Sequence, residues 1–299
     1  MIQRLFLFLL LLIPGFATSQ NSTTANAGLL NSLNEKIELE KLSLVKNIRF
    51  KNIGPTIMSG RVVDLDVNPN DPTEFYVAYA SGGLWYTNNN GTSFEPVMDS
   101  STQNLGDIAV HWESGTIWVG TGENNASRSS YAGIGLLKST DRGNSWEHMG
   151  LADSHHIGRI IINPDNVQEV VVGVTGHLYT PNKERGIYKT TDGGKSWEQK
   201  LFVNDITGII DLVMVPGNFQ IQFAAAWEKE RKAWDFRGNG KSSGIYKSTD
   251  GGDTWKKLTL EGSGFPSGEG VGRIGLDIFD EHTIYAVHDN QYRREKQVE

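Results

Sequence analysis

The 299-residue chain contains no cysteine. A disulfide framework, a thiolate metal site and a lipid-modified N-terminal cysteine are therefore excluded. Positive charge is in short supply. Lys and Arg number 28 against 35 Asp and Glu, for a net charge of −7. That balance argues against a nucleic-acid partner, which needs a basic patch. Leu5–Ile13 is too short for a membrane helix, and no later apolar run approaches the ~20 residues one needs. A His-x-x-x-His pair, an Asp-rich calcium loop and a phosphate-cradling glycine loop are also missing. His155 and His156 are adjacent, a spacing that does not readily place both on one metal ion. No metal site and no cofactor is expected.

What is present begins with a targeting segment. Arg4 supplies a positive charge, Leu5–Ile13 is continuously apolar, and Ala17-Thr18-Ser19 offers small residues for cleavage before Gln20. This reads as a signal peptide over residues 1–19. The mature chain is expected to be exported to a periplasm, the cell surface or the exterior, with no membrane span. Residues 20–47 read as a linker in which apolar residues between Leu29 and Val45 suggest a short helix.

Glycine is plentiful, at 34 residues, and aromatics make up 10%. Both serve one repeated phrase. It reads Ser139-Thr140-Asp141-Arg142-Gly143-Asn144-Ser145-Trp146, and returns over residues 190–197 and 248–255. A looser copy over residues 87–94 has Asn89 for the aspartate and Phe94 for the tryptophan. Starts at 87, 139, 190 and 248 are 52, 51 and 58 residues apart, a period that signals a repeat architecture. Each copy follows a short apolar run such as Gly186-Ile187-Tyr188-Lys189, so it reads as a turn between two strands. Asp141, Asp192, Asp250 and Asn89 can accept backbone N–H bonds in the turn. The glycine two residues on supplies a positive φ. Trp146, Trp197, Trp255 and Phe94 then turn back into apolar surroundings.

Four strands per repeat, set radially, is the plan of a β-propeller. The expected fold is all-β, with four-stranded antiparallel blades over residues 56–98, 106–149, 157–203 and 206–260. A partial fifth blade covers 271–290, and the propeller as a whole spans 48–299. The stretch Ile48–Ile53 alternates like a strand that joins a last blade.

The phrase resembles the Asp-box (BNR repeat) of sialidases, bacterial xyloglucanases and sortilin-type propellers. In those families it is a folding device on the outer rim, and the resemblance gives Asp141, Asp192 and Asp250 that structural role. Residues 48–290 more broadly resemble large exported bacterial propellers described as sortilin-like or as glycosyl hydrolases of the Asp-box type. The carrying stretches include Ser59-Gly60-Arg61-Val62, Gly120-Thr121-Gly122-Glu123-Asn124, His156-Ile157-Gly158-Arg159 and Gly272-Arg273-Ile274. Members are typically longer, so the resemblance implies a fragment. It also implies an acid at the end of the first blade's second strand if the chemistry were that of a xyloglucanase. Ala80 stands there, and alanine cannot transfer the proton that glycoside cleavage requires.

Two constellations point to function. Arg61, Arg159 and Arg273 follow glycines at the start of alternate inner strands, where they would form a cationic rim for a carboxylate. An Arg–Asp network between blades is the competing expectation. The loops between second and third strands carry Glu123, Glu228 and Asp235, the candidate catalytic carboxylates, with Trp234 as a stacking surface. The function expected is a ligand-binding or interaction scaffold with a carbohydrate or peptide/protein partner. The alternative is a glycoside hydrolase, with its catalytic residues not identified.

Overall fold

The structure, a computed structural model, describes residues 26–48, 60–99 and 101–292. The expected signal segment and residues 49–53 of the expected first strand lie outside them. Helix α1, Asn26–Leu42, begins and ends three residues before the apolar stretch Leu29–Val45 and leaves Ile37, Leu39 and Leu42 exposed.

The chain then forms a β-propeller. Blade one is β1 (Val62–Val67), β2 (Phe75–Tyr79), β3 (Gly83–Thr87) and β4 (Glu95–Pro96). Blade two is β5 (Leu105–His111), β6 (Thr116–Thr121), β7 (Leu136–Ser139) and β8 (Glu147–His148). Blade three is β9 (Ile157–Asn163), β10 (Asn166–Val174), β11 (Gly186–Thr190) and β12 (Glu198–Leu201). Blade four comprises β13 (Thr207–Val215) and β14 (Asn218–Glu228), then a small hairpin of β15 (Glu230–Arg231) and β16 (Phe236–Arg237). The blade is completed by β17 (Gly244–Ser248) and β18 (Lys256–Lys257). Strands β19 (Val271–Ile278) and β20 (Ile284–Asn290) pair as a two-stranded sheet, the part of blade five among the described residues. Every blade pairs its strands antiparallel in chain order.

Apolar surface is buried between blades rather than in one central core. Tyr76 and Leu84 of blade one pack with Ile108 and Ile117 of blade two. Trp118 meets Ile160 and Val172, Val171 meets Leu212 and Ala224, and Phe223 and Trp227 meet Val271 and Ile274. Each second strand is therefore apolar on both faces, which is why β2, β6 and β14 read as nearly unbroken apolar runs.

The repeated turns show why their residues recur. In blade three the Thr190 hydroxyl donates to Asp192 Oδ1 at 2.7 Å and accepts from Gly194 N at 2.9 Å. Asp192 then accepts from Ser196 N at 3.0 Å and Ser196 Oγ at 2.6 Å. Asp141 and Asp250 repeat these contacts with Ser145 and Thr254. Asn89 keeps the pattern by reversing one bond, its Nδ2 donating to Ser93 Oγ at 2.8 Å. Gly194 adopts φ 94°, and a Cβ there would lie 2.5 Å from the Trp118 ring.

The closing aromatic reaches across to the preceding blade. Trp146 Nε1 donates to Val97 O at 2.8 Å and Trp197 Nε1 to Met149 O at 2.7 Å. Trp197 also meets Trp118 edge-on, with ring centroids 5.8 Å apart. Trp255 instead donates to Gly252 O within its own turn, at 3.0 Å. The turn thus seals a blade and fastens it to its neighbour. Trp197→Ala should cost about 3 kcal/mol, since the ring is half-buried. Asp192→Ala should also lower stability, and a urea midpoint that falls at constant slope would register both.

Candidate functional site

The inner strands are joined by carboxylates. Asp64 Oδ2 accepts Ile108 N at 3.2 Å, Asp107 Oδ2 accepts Ile160 N at 2.7 Å, and Asp211 Oδ2 accepts Leu276 N at 2.8 Å. Each aspartate holds the backbone of the following blade. Asp66 adds a second link, to Val110 N and Trp112 Nε1, both at 2.7 Å. Asp64, Asp107 and Asp211 share one register slot, opposite Ala78, Gly120 and Ala225 and just past a β-bulge. In blade three that slot, opposite Gly173, is filled by Arg159.

Arg159 gathers the others. Its Nη1 lies 3.1 Å from Asp64 Oδ1 and 2.8 Å from Asp107 Oδ1, and its Nε lies 3.2 Å from Asp211 Oδ1. The guanidinium pKa is raised, by Asp107 above all. Burial holds the Asp107 carboxyl well above the ordinary range, and the nearby Asp64 charge adds to this. Three carboxylates around one cation leave excess negative charge. Arg159 is committed to the inter-blade network.

The other two arginines occupy different places. Arg61 precedes β1, keeps half its side chain exposed and lies 3.4 Å from Glu123 Oε2. Arg273 donates to Asn125 Oδ1 at 2.6 Å and stacks over Trp227, 5.6 Å from the ring centre. Both therefore converge on the loop after β6. That loop spans the arc: Asn124 Nδ2 donates to Gly106 O at 3.0 Å and Gly158 O at 3.1 Å, and Ala126 O accepts from Arg231 Nε at 2.9 Å.

The candidate carboxylates do not come together. Glu123 is 1% exposed, tied to Asn125 N, Ser130 Oγ and Arg61. Glu228 accepts from Ser242 N and Ser242 Oγ and pairs with Arg237 at 3.1 Å. Asp235 and Trp234 sit in the exposed loop of the β15–β16 hairpin, with Trp234 84% exposed. Ala80 is buried, its N–H bonded to Arg61 O at 2.9 Å.

What the sequence does not announce is a pocket of about 420 Å³ between the loops after β6 and β10, lined by Arg128, Tyr131, His155, His177, Tyr179 and Thr180 among others. Tyr131 and Tyr179 are 61% and 47% exposed. Asp153, His155 and His177 place one ligand atom each within 4.8 Å of one another, although no metal site was expected. The two imidazoles stack, however, at 3.7 Å and 18°, so their lone pairs run side by side instead of converging. Both His177 nitrogens are engaged, with Thr180 Oγ1 at 2.9 Å and Asp153 O at 2.8 Å. Burial, with His177 beside it, pushes His155 down to about 4. Burial and then Lys229 hold His156 well below its usual range. Adjacency in sequence concealed this cluster, because His177 arrives from the loop after β10.

No protein-family model matches the chain, and no curated protein matches it. Solved structures do. An ancestral GH74 enzyme aligns with a TM-score of 0.53 at 18% identity, over 73% of this chain and 27% of that one. The GH74 enzyme of Niastella koreensis aligns with a TM-score of 0.50 at 20% identity, over 69% and 31%. The likeness is one of fold. The chain spans less than a third of the length of either structure.

Two outcomes test the site's physics. Arg159→Leu should cost about 3 kcal/mol, because three carboxylates lose their cation. Asp107→Asn in that background should recover part of the loss in urea titrations. His155 has a folded pKa below its unfolded value near 6.5, so its contribution to stability is complete above that pH and is lost as pH falls towards about 4. Asp66, raised to about 6, acts in the opposite sense over a similar range. His155→Asn should therefore flatten the acid side of the stability profile relative to wild type.

Proposed function

We propose that the chain is an exported, sortilin-like Asp-box propeller that binds its ligand without cleaving it. The pocket between the loops after β6 and β10 takes a carbohydrate or a peptide segment. In this reading residues 1–19 are removed on export and the repeated turns are purely structural. The observation that carries it is the pocket wall, which offers two exposed tyrosines, three histidines and Arg128 and no carboxylate. Glycoside cleavage ordinarily needs a pair of carboxyl groups across the scissile bond. Glu123, Glu228 and Asp235 are held in three separate settings. Arg61 and Trp234 extend the same loop-bearing face as accessory contacts, whereas Arg159 serves the inter-blade network.

A panel of glycans, polysaccharides and peptides, scored for both binding and released sugar, tests this. Binding without release is expected, with Tyr179→Ala about tenfold weaker, or 1.4 kcal/mol. Sugar release that disappears in Glu123→Gln or Asp153→Asn would establish the hydrolase reading instead.

A further inference from the structure

Beside the tyrosine pocket, and sharing Leu178, Tyr179 and Thr180 with it, lies a cavity of about 170 Å³. Its wall holds three cations, Arg185, Lys229 and Arg231. Arg185 and Lys229 are 2% and 4% exposed. Among the described residues none of the three makes an ion pair with a carboxylate. Arg185 donates to Thr175 O at 2.6 Å, His177 O at 2.7 Å and Thr180 O at 3.2 Å. Lys229 Nζ donates to His177 O at 3.2 Å, one bond for a group with three N–H when charged. Arg231 bonds to Ala126 O and lies over the Phe236 ring at 4.0 Å. Glu230, the one acid on the wall, is engaged by Lys232 at 3.0 Å and Arg237 at 3.6 Å.

Withdrawing like charges from water without a counter-charge is strongly unfavourable. The cost shows in the groups themselves. Burial, then Arg185 and Arg231, hold the Lys229 amine well below its ordinary range. Burial brings Arg185 to about 10 despite the Asp205 charge. The same positive field opposes a divalent cation at Asp153, His155 and His177, whose rings in any case stack. An anion entering the cavity would offset the uncompensated charge and supply the acceptors that Lys229 lacks. Arg231 brings a planar fork that matches a carboxylate.

We propose that this cavity is a carboxylate site, which holds the acid group of a uronic-acid residue while its sugar ring rests against Tyr179 in the adjoining pocket. This deepens the binding reading above and depends on it. Tyr179 lines both spaces, so one ring can contact it while its acid group reaches the cations.

The test is calorimetric titration of the full chain with a glucuronate-terminated oligosaccharide and with its methyl ester, which keeps the ring and removes the charge. The acid should bind at least tenfold more tightly than the ester. Lys229→Met should abolish that difference while leaving ester binding intact, and should raise Tm without ligand because it removes a buried unpaired cation. Arg231→Gln, on the more accessible hairpin, serves as a second variant and should reduce the difference several-fold. Equal binding of acid and ester would overturn the carboxylate site and leave the binding reading standing. Failure of either compound to bind, alongside a silent glycan and peptide panel, would overturn both. Tighter binding of inorganic phosphate or of an acidic peptide than of the glucuronate would overturn the sugar-acid assignment. A fall in Tm for Lys229→Met would show that the amine's charge is already compensated in the fold and would overturn the site.

Discussion

The propeller depends on a carboxylate in one blade accepting a backbone N–H from the next. Asp64, Asp107 and Asp211 each do this from the same slot on an inner strand. The slot lies opposite Ala or Gly, which leaves room for a polar side chain near the axis of the arc. Carboxylates placed so close would repel one another, and a cation among them is the general remedy. Blade three provides it by exchanging the aspartate for Arg159. The exchange has a local consequence: an arginine has no acceptor for the next blade's N–H, and Leu212 N bonds instead to the adjacent Asp211 at 3.0 Å.

The outer rim uses the opposite strategy. There the repeated turn satisfies its central aspartate within eight residues and reaches its neighbour through an aromatic ring and a few polar contacts, such as Lys138 Nζ to Gly193 O and Lys189 Nζ to Asp253 Oδ2. Hydrogen bonds hold Asp141 down to about 2, foremost that from Ser145, so the turn stays ionised and intact across ordinary pH. The axis is fastened by charge shared between blades. The rim is fastened by local closure and an aromatic contact. Between them the apolar clusters join consecutive blades, one of them also taking in Ala126 and Leu178 from the loops after β6 and β10, so stability is distributed along the arc, much as in other repeat proteins.

On this scaffold the connecting loops are free to carry function. The loop after β6 crosses from blade two to blades four and five through Ala126 and Asn125. The loop after β10 separates the tyrosine pocket from the cationic cavity. Neither space has a wall made by one blade alone, and both set exposed aromatic surface beside groups whose charge is disfavoured by burial. Under the proposed function, that pairing serves recognition.

By itself the sequence determined the fold class, the repeat and nearly all the strands. Those features rest on local rules: alternation of apolar residues, and a turn whose bonds close within the phrase. Gly186–Thr190 is a strand where the apolar run Gly186-Ile187-Tyr188-Lys189 leads into the phrase. The Arg–Asp network was legible as one of two alternatives, but its membership was not. Gly-Arg pairs suggested three equivalent arginines, whereas register places Arg159 with Asp64, Asp107 and Asp211. The pockets were decided by the tertiary structure alone. Asp153, His155 and His177 meet across 24 residues, and Arg185 and Lys229 share His177 O across 44. No periodicity encodes that meeting. It follows from how far each inter-blade loop reaches once the blades are in place, and that is fixed by packing between strands distant in sequence.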